Sequence, residues 1–112
     1  MSVFNAMFPV TPGKEQDARA FATETFGARR ADFEAHMERS EVTRETWALQ
    51  ETPMGSFLLV WFEGDVAKAF ADLAADHDYA TWFRGRVLDV TGYDLGTPPD
   101  GPPPEVLLDY RA

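Results

Sequence analysis

The chain has 112 residues, which suffice for one domain of ordinary size and exclude a second. Hydrophobic residues make up 45% of it and aromatic residues 13%, so it carries the large apolar side chains of a folded core and is not a disordered chain. Its formal net charge of -9 gives a surface that repels phosphate groups, which excludes nucleic acids and anionic membranes as general partners.

The first two predicted elements are a strand and a long helix. Residues 3–10 form an apolar run of a strand's length that ends at a Pro-Gly turn, and they predict the first strand. Residues 15–41 lack proline and open with two acidic side chains, which predicts a helix. Gly27 is the weak point of that helix, where we expect a kink or a break.

The middle of the chain predicts a hairpin. The runs 42–52 and 56–63 are rich in residues that favour strands, and Pro53, Met54 and Gly55 separate them. Strand side chains alternate between two faces, and both faces of the second run are apolar. One face has Phe57, Leu59 and Trp61, and the other has Leu58, Val60 and Phe62.

Two helices and a proline-rich tail complete the predicted order. Asp65 is a candidate N-cap for a helix that ends near residue 75, and Asp78 is one for a helix over 79–90. The stretch 97–104 contains five prolines and predicts extended chain, and 105–110 is a candidate last strand. We therefore expect a domain over 1–96 and an extension, 97–112, whose last strand packs on the same domain.

The order strand, helix, strand, strand, helix pair, strand predicts an α+β protein with the ferredoxin-like βαββαβ sandwich. Its four-stranded antiparallel sheet would carry the helices on one face. Both faces of the sheet are apolar, and the helices cover only one of them. The other face therefore needs a partner, and we expect a second copy of the chain there. We predict a homodimer through the sheet face.

Three short segments carry a resemblance to a known superfamily. They are the turn Pro12-Gly13-Lys14, the hairpin 50–55 and the helical segment 70–74. With the order of elements, they make the chain resemble the dimeric α/β-barrel superfamily, and residues 9–87 are most similar to its small stand-alone bacterial members. The resemblance implies a barrel built from two ferredoxin-like sheets. Relatives include cofactor-independent monooxygenases, haem-degrading monooxygenases, dehydratases and stress-responsive proteins, so the fold alone selects no function.

Cationic groups interrupt the apolar stripes of the predicted helices. Steps of 100° per residue place Arg29 and His36 on the inner face of the first helix, and His77 and Arg86 on later inner faces. Together they would form a site for an anion or enolate in which a histidine moves the proton. The alternatives are that Arg29 reaches solvent, that His36 covers the end of its stripe, that His77 lies in a loop, and that Arg86 pairs with a surface acid.

One acidic residue and a set of aromatic and amide side chains complete the candidate site. Glu51 is the candidate catalytic base if it faces the cleft, and otherwise it caps the hairpin. Asn5 on the first strand either orients a substrate carbonyl or bonds to neighbouring backbone. Trp47, Tyr79 and Trp82 either stack on a planar ligand or belong to the core.

We expect neither a metal nor a cofactor. His36 and His77 each have acidic neighbours at spacings that place side chains on different helix faces. Haem-degrading relatives use an Asn, a Trp and a His, and Asn5, Trp82 and His77 are of those types. When the helical segments are aligned, however, the expected Trp falls at residue 73 or 74.

The expected function is binding of an aromatic or polyketide-like acid, with catalysis by His36, His77 and Glu51 as a cofactor-independent monooxygenase, cyclase or isomerase. Arg29 and Arg86 would hold the acid. The alternative is a non-catalytic ligand-binding or stress-associated dimer. Whether the protein is an enzyme stays open.

The chain has no cysteine, no secretory signal pattern and no apolar run of about 20 residues, so we expect a cytoplasmic protein with no membrane contact.

Overall fold

A computed structural model describes residues 2–97 and 101–112. The elements of this part of the chain are β1 (Ser2–Pro9), α1 (Glu15–Thr25), α2 (Arg30–Arg39), β2 (Arg44–Thr52), β3 (Gly55–Gly64), α3 (Val66–Leu73) and α4 (Asp78–Thr91). The predicted first strand, the hairpin and the two later helices are therefore present, with bounds that differ by a few residues.

The sheet has three strands in the order β1-β3-β2, and both outer strands run antiparallel to β3. Its register places Glu45, Phe62 and Phe4 side by side across the sheet. Because side chains alternate along a strand, the sheet has two distinct faces. The face covered by the helices carries Phe4, Ala6, Phe8, Glu45, Trp47, Leu49, Leu58, Val60 and Phe62.

The predicted four-stranded sheet is wrong, and with it the ferredoxin-like sandwich and the barrel built from two such sheets. Within the described segment 101–112 the chain forms no strand, and β1 stays at an edge. The prolines at 102–104 lie against the helix-covered face rather than beside β1, and proline has no N–H to give to a strand ladder. The α+β class is compatible with the structure. The predicted extended stretch 97–104 lies partly outside the described residues.

The predicted first helix is two helices that meet at Gly27. A Cβ on Gly27 would lie 2.7 Å from the backbone oxygen of Thr23, so the chain there is tighter than a side chain allows. The N–H groups of Gly27 and Arg29 both donate to the carbonyl of Glu24, which closes the end of α1 before α2 begins. The expected weak point is thus a complete break.

The N-termini of the later helices are capped by side chains. Asp65 accepts from the N–H of Lys68 at 3.0 Å and caps α3, as predicted. At α4 the cap is His77, whose Nδ1 accepts from the N–H of Ala80, and the predicted cap Asp78 is the first helical residue.

Aromatic and aliphatic side chains fill the space between the sheet and the helices. Phe21 of α1 is 1% exposed and packs against Trp47 and Phe83, with ring centroids 5.1 Å apart in each pair. A second buried cluster joins Val10, Ala18, Leu58 and Val90.

The opposite face of the sheet, which we term the open face, is also apolar along its middle. It carries Asn5, Met7, Phe57, Leu59 and Trp61. Met7 is 62% exposed, whereas the other four are only partly exposed. The C-terminal segment reaches this side, because the Arg111 guanidinium donates to the Glu63 carboxylate.

Candidate functional site

An apolar cleft of about 610 Å³ lies between β1, α3 and the chain that follows α4. We term it the tail cleft. Phe4 and Phe8 of β1 form one wall, because alternate residues of a strand share a face. Phe70 of α3 forms another, while Leu95 and the prolines at 102–104 form the outer wall. The tail prolines thus enclose a cavity on the helix side of the sheet.

Tyr93 is the principal polar side chain of the tail cleft. It follows Gly92, whose positive φ of 74° ends α4 and turns the chain toward β1. The Tyr93 ring packs edge-to-face on Phe8, with centroids 5.4 Å apart. Among the described residues that line this cleft, none carries a charged side chain. An apolar wall with a single phenol suits an uncharged ligand that offers one hydrogen-bonding group.

A smaller cavity of about 60 Å³ continues inward from the tail cleft. Phe4, Phe8, Phe70 and Leu95 line both spaces, so these side chains form the partition between them. Glu45 of β2 lies at the far side of the inner cavity, among aromatic and aliphatic groups. It is the one acidic side chain that lines this cavity in the described part of the chain.

Burial raises the pKa of Glu45 to about 7, although a hydrogen bond opposes that change. The donor is the indole Nε1 of Trp47, 2.6 Å from Glu45 Oε2. Glu45 and Trp47 also line a cleft of about 280 Å³ with Ala22, Thr25, Phe26 and Phe33, which we term the α1–α2 cleft. A carboxyl with this pKa exists in both protonation states near neutral pH.

A second cluster of ionisable side chains surrounds Asp72 of α3. His36 Nδ1 lies 2.6 Å from Asp72 Oδ2, and His77 Nε2 lies 3.2 Å from Asp72 Oδ1. Arg39 donates to both oxygens at 2.9 Å. Since Nδ1 of His77 accepts from Ala80, its proton is on Nε2 and points to Asp72. Both ring nitrogens of His77 are engaged.

The protonation states in the Asp72 cluster follow from burial and from these contacts. Burial opposes ionisation of Asp72, yet the hydrogen bonds from Arg39 and His36 hold its pKa well below the usual range. Burial lowers the pKa of His36, which is 4% exposed, more strongly than Asp72 raises it. His36 is therefore neutral near pH 7 and donates Nδ1–H to Asp72. The cluster ties α2, α3 and α4 together.

The predicted catalytic residues do not share one cavity. His36 and His77 both contact the Asp72 carboxylate. Asp72 and His77 line a surface cleft together with Arg39 and Tyr79. Glu51 lies near the hairpin end of β2, at the surface, and pairs with Arg19 at 3.0 Å. It is not among the described residues of the cleft that contains His77. Their catalytic roles stay predictions.

The predicted cationic ligand contacts are occupied by acids. Arg29 pairs with Asp78 at 2.7 Å and with Asp32 at 3.3 Å, and its guanidinium lies over Trp82 at 4.8 Å. Arg86 pairs with Glu24 at 3.1 Å, a partner that the sequence did not indicate.

The remaining predicted binding residues lie in three places. Asn5 is on the open face, opposite Trp61 of β3. Trp47 lines the inner cavity and the α1–α2 cleft. Tyr79 and Trp82 pack on each other with centroids 5.7 Å apart, and the Tyr79 hydroxyl is buried without a partner among the described residues. Burial raises the pKa of Tyr79. Their contact with a ligand stays a prediction.

Sequence reasoning missed Glu45, Asp72 and Tyr93. The signal for Glu45 was present, because the alternation that places Glu51 on the face of Trp47 and Leu49 places Glu45 there as well. For Asp72 and Tyr93 the signal was weaker, since their partners come from other elements and no spacing in the chain indicates them.

No protein-family model, curated protein or solved structure matches this chain. In the part of the chain that the structure describes, no helix has the length and apolar character needed to cross a membrane. Across residues 2–97 and 101–112, no three His, Cys, Asp or Glu side chains are grouped so that they could hold a metal ion.

Proposed function

We propose that the protein binds a small, uncharged aromatic or polyketide-like molecule in the tail cleft. One observation carries this proposal: a cleft of about 610 Å³ has apolar walls and one phenol, that of Tyr93, and none of its described lining residues is charged. Volumes of roughly 300–1,000 Å³ with few polar groups are typical of small-molecule sites. The aromatic rings of Phe4, Phe8 and Phe70 favour a flat ligand.

The lining favours a neutral ligand over the expected acid. A carboxylate in an apolar cleft needs a cation or several donors. Arg29 and Arg86, the expected holders of that acid, pair with carboxylates outside the tail cleft. The lining also favours the non-catalytic alternative, since Tyr93 is the one ionisable side chain among the described residues that line the cleft.

Thermal unfolding in the presence of 2-naphthol or 2-naphthoate tests the proposal, when the parent protein is compared with a variant whose tail cleft is filled. Ala74 lines the tail cleft and is exposed, so Ala74→Phe should fill the cleft without disturbing the core. Ala67 is exposed in α3, the helix whose C-cap is Ala74, and it is outside the described lining, so Ala67→Phe is the matched control.

We expect millimolar 2-naphthol to raise the melting temperature of the parent protein and of the control by mass action, and to raise that of Ala74→Phe less. The anion 2-naphthoate should have a smaller effect. Equal shifts in all three proteins, a larger shift with 2-naphthoate, or no shift at all would exclude this function.

We also propose that two copies associate through the open face. The apolar row of Met7, Leu59 and Trp61 supports this, because it would otherwise face water. Met7→Glu should yield a monomer in size exclusion with light scattering. Met54→Glu, at a residue 91% exposed in the hairpin turn, should leave the dimer intact. A parent protein that is monomeric at 50 micromolar refutes the dimer.

We place the protein in the cytoplasm, which its lack of cysteine supports and cell fractionation would test.

A further inference from the structure

The α1–α2 cleft has the features of a second binding site, separate from the tail cleft. It is open to the outside and has a volume of about 280 Å³. Its walls are the rings of Phe26, Phe33 and Trp47, and Glu45 is its only acidic lining residue among those described. Neither the Asp72 cluster nor the proposed function uses this cleft.

The walls are arranged for a flat ring. Phe26 lies in the break between α1 and α2 and is 57% exposed, which is unusual for so large an apolar side chain. Its ring meets Phe33 edge-to-face, with centroids 6.1 Å apart, and the Arg30 guanidinium lies over it at 4.2 Å. A bound ring would cover apolar surface that now faces water.

The polar group of this cleft is the Glu45 carboxyl, which can form a hydrogen bond in addition to the one that it makes with Trp47. One of its oxygens, Oε2, accepts from the Trp47 indole, so the hydroxyl of the protonated acid is left for another acceptor. Among the described residues, no Lys or Arg pairs with Glu45. The charged side chains of the surrounding helices pair with one another: Glu24 of α1 with Arg86 of α4, and Arg29, before α2, with Asp32 and Asp78.

Tyr79 of α4 is the remaining ionisable group near Glu45. Burial is the main cause of the raised pKa of Tyr79, and the charge of Glu45 is the next. The phenol therefore stays neutral while Glu45 titrates. A carboxyl in such surroundings favours its uncharged form, and an uncharged acid is a hydrogen-bond donor.

We propose that the α1–α2 cleft binds a small neutral aromatic ketone, whose oxygen accepts a hydrogen bond from the Glu45 carboxylic acid. The ring would lie among Phe26, Phe33 and Trp47. This site goes beyond the proposed function and does not depend on it, because no described residue lines both clefts.

The site predicts a characteristic dependence of affinity on pH. The acid binds the ketone and the carboxylate does not, so affinity follows the protonated fraction of Glu45, which falls as pH rises through about 7. Between pH 6 and pH 8.5 the dissociation constant should rise roughly 30-fold, as the competent fraction falls from nearly all to a few per cent.

Isothermal titration with three naphthalene derivatives provides the test. They are 2-acetylnaphthalene, 2-isopropenylnaphthalene, which has the same shape without the oxygen, and the cation 1-(2-naphthyl)ethylamine. All proteins carry Ala74→Phe, so that the tail cleft is filled. On that background we compare the parent with Glu45→Gln, whose amide still donates and does not titrate, and with Glu38→Gln at the exposed surface of α2.

In the parent and in Glu38→Gln, the ketone should bind at least 5-fold tighter than the alkene at pH 6, and its affinity should fall roughly 30-fold by pH 8.5. In Glu45→Gln its affinity should not change with pH. Phe26→Ala should weaken the ketone several-fold at every pH. The proposal is overturned if ketone and alkene bind alike at pH 6, if Glu45→Gln keeps the pH dependence, or if the amine binds best.

Failure here is distinguishable from failure of the proposed function. The tail cleft is tested by 2-naphthol with and without Ala74→Phe, whereas the α1–α2 cleft is tested with Ala74→Phe always present. Each outcome therefore concerns one cleft.

Discussion

Replacing Glu45 by Gln should stabilise the protein at alkaline pH and leave it unchanged at acid pH. Gln has the shape of protonated Glu, and its carbonyl can still accept from the Trp47 indole. The replacement removes only the charge. Because burial favours the neutral acid, the ionised form of Glu45 is a destabilising feature of the folded protein above neutral pH.

The magnitude follows from the pKa of Glu45, about 7 in the folded protein and about 4.3 in an unfolded chain. Between these two values the folded protein holds a proton that the unfolded chain has lost, so stability falls as pH rises across this window and then levels off. Each pKa unit corresponds to about 1.4 kcal/mol, which gives about 4 kcal/mol as an upper value. Solvent in the α1–α2 cleft screens the charge, so we expect about 1–3 kcal/mol.

Urea unfolding of the parent and of Glu45→Gln at pH 4.5, 6, 7 and 8.5 measures this difference directly. The gain from Glu45→Gln should rise from near zero to its full value across the series. The other ionisable groups are the same in both proteins, so their contributions cancel. Glu51→Gln should show no such rise, since Glu51 is exposed and pairs with Arg19 at the surface. A gain that is constant with pH would refute a raised pKa at Glu45.

Two further predictions concern backbone packing and the Asp72 cluster. Gly64→Ala should lower the free energy of unfolding by about 1–3 kcal/mol, because its Cβ would lie 2.7 Å from Val42 Cα, whereas Gly85→Ala should raise it by up to about 1 kcal/mol, because that helix position is open. Urea unfolding measures both, and equal effects would contradict the packing argument. Asp72→Asn should cost about 2–4 kcal/mol in the same assay, because it removes the charge and one of the two oxygens that accept from buried His36 and from Arg39, and Asp76→Asn, at an exposed site, should cost under about 0.5; a small loss at Asp72 would show that the cluster contributes little.

Local patterns in the sequence predicted the local structure well. The Pro53-Met54-Gly55 turn indicated the hairpin, and Gly55 does adopt a positive φ of 119° there. Gly27 indicated the point where the helix breaks. These features depend on backbone conformation within a few residues, which a sequence displays directly.

Features that depend on distant residues were not predictable in the same way. Residues 105–110 have the composition of a strand, but a strand needs a neighbour, and the prolines before them lie on a face of the sheet instead of beside β1. Likewise, helical periodicity placed Arg86 on an inner helix face, but its partner Glu24 comes from another helix and no spacing in the chain indicates it. The tail cleft exists only after β1, α3 and the tail have met.

The strand order has a consequence for how the protein folds. Central strand β3 pairs with β2 through a two-residue turn, but with β1 only after the chain has closed a long loop, since Ser2 pairs with Gly64. Loop closure of that length is slow compared with hairpin formation, so the β2–β3 hairpin should form early and β1 should join late. In the native state, β1 should then be the first strand to detach. Because β1 is one wall of the tail cleft, its detachment would open that cleft from the side and give a bulky ligand a route into it.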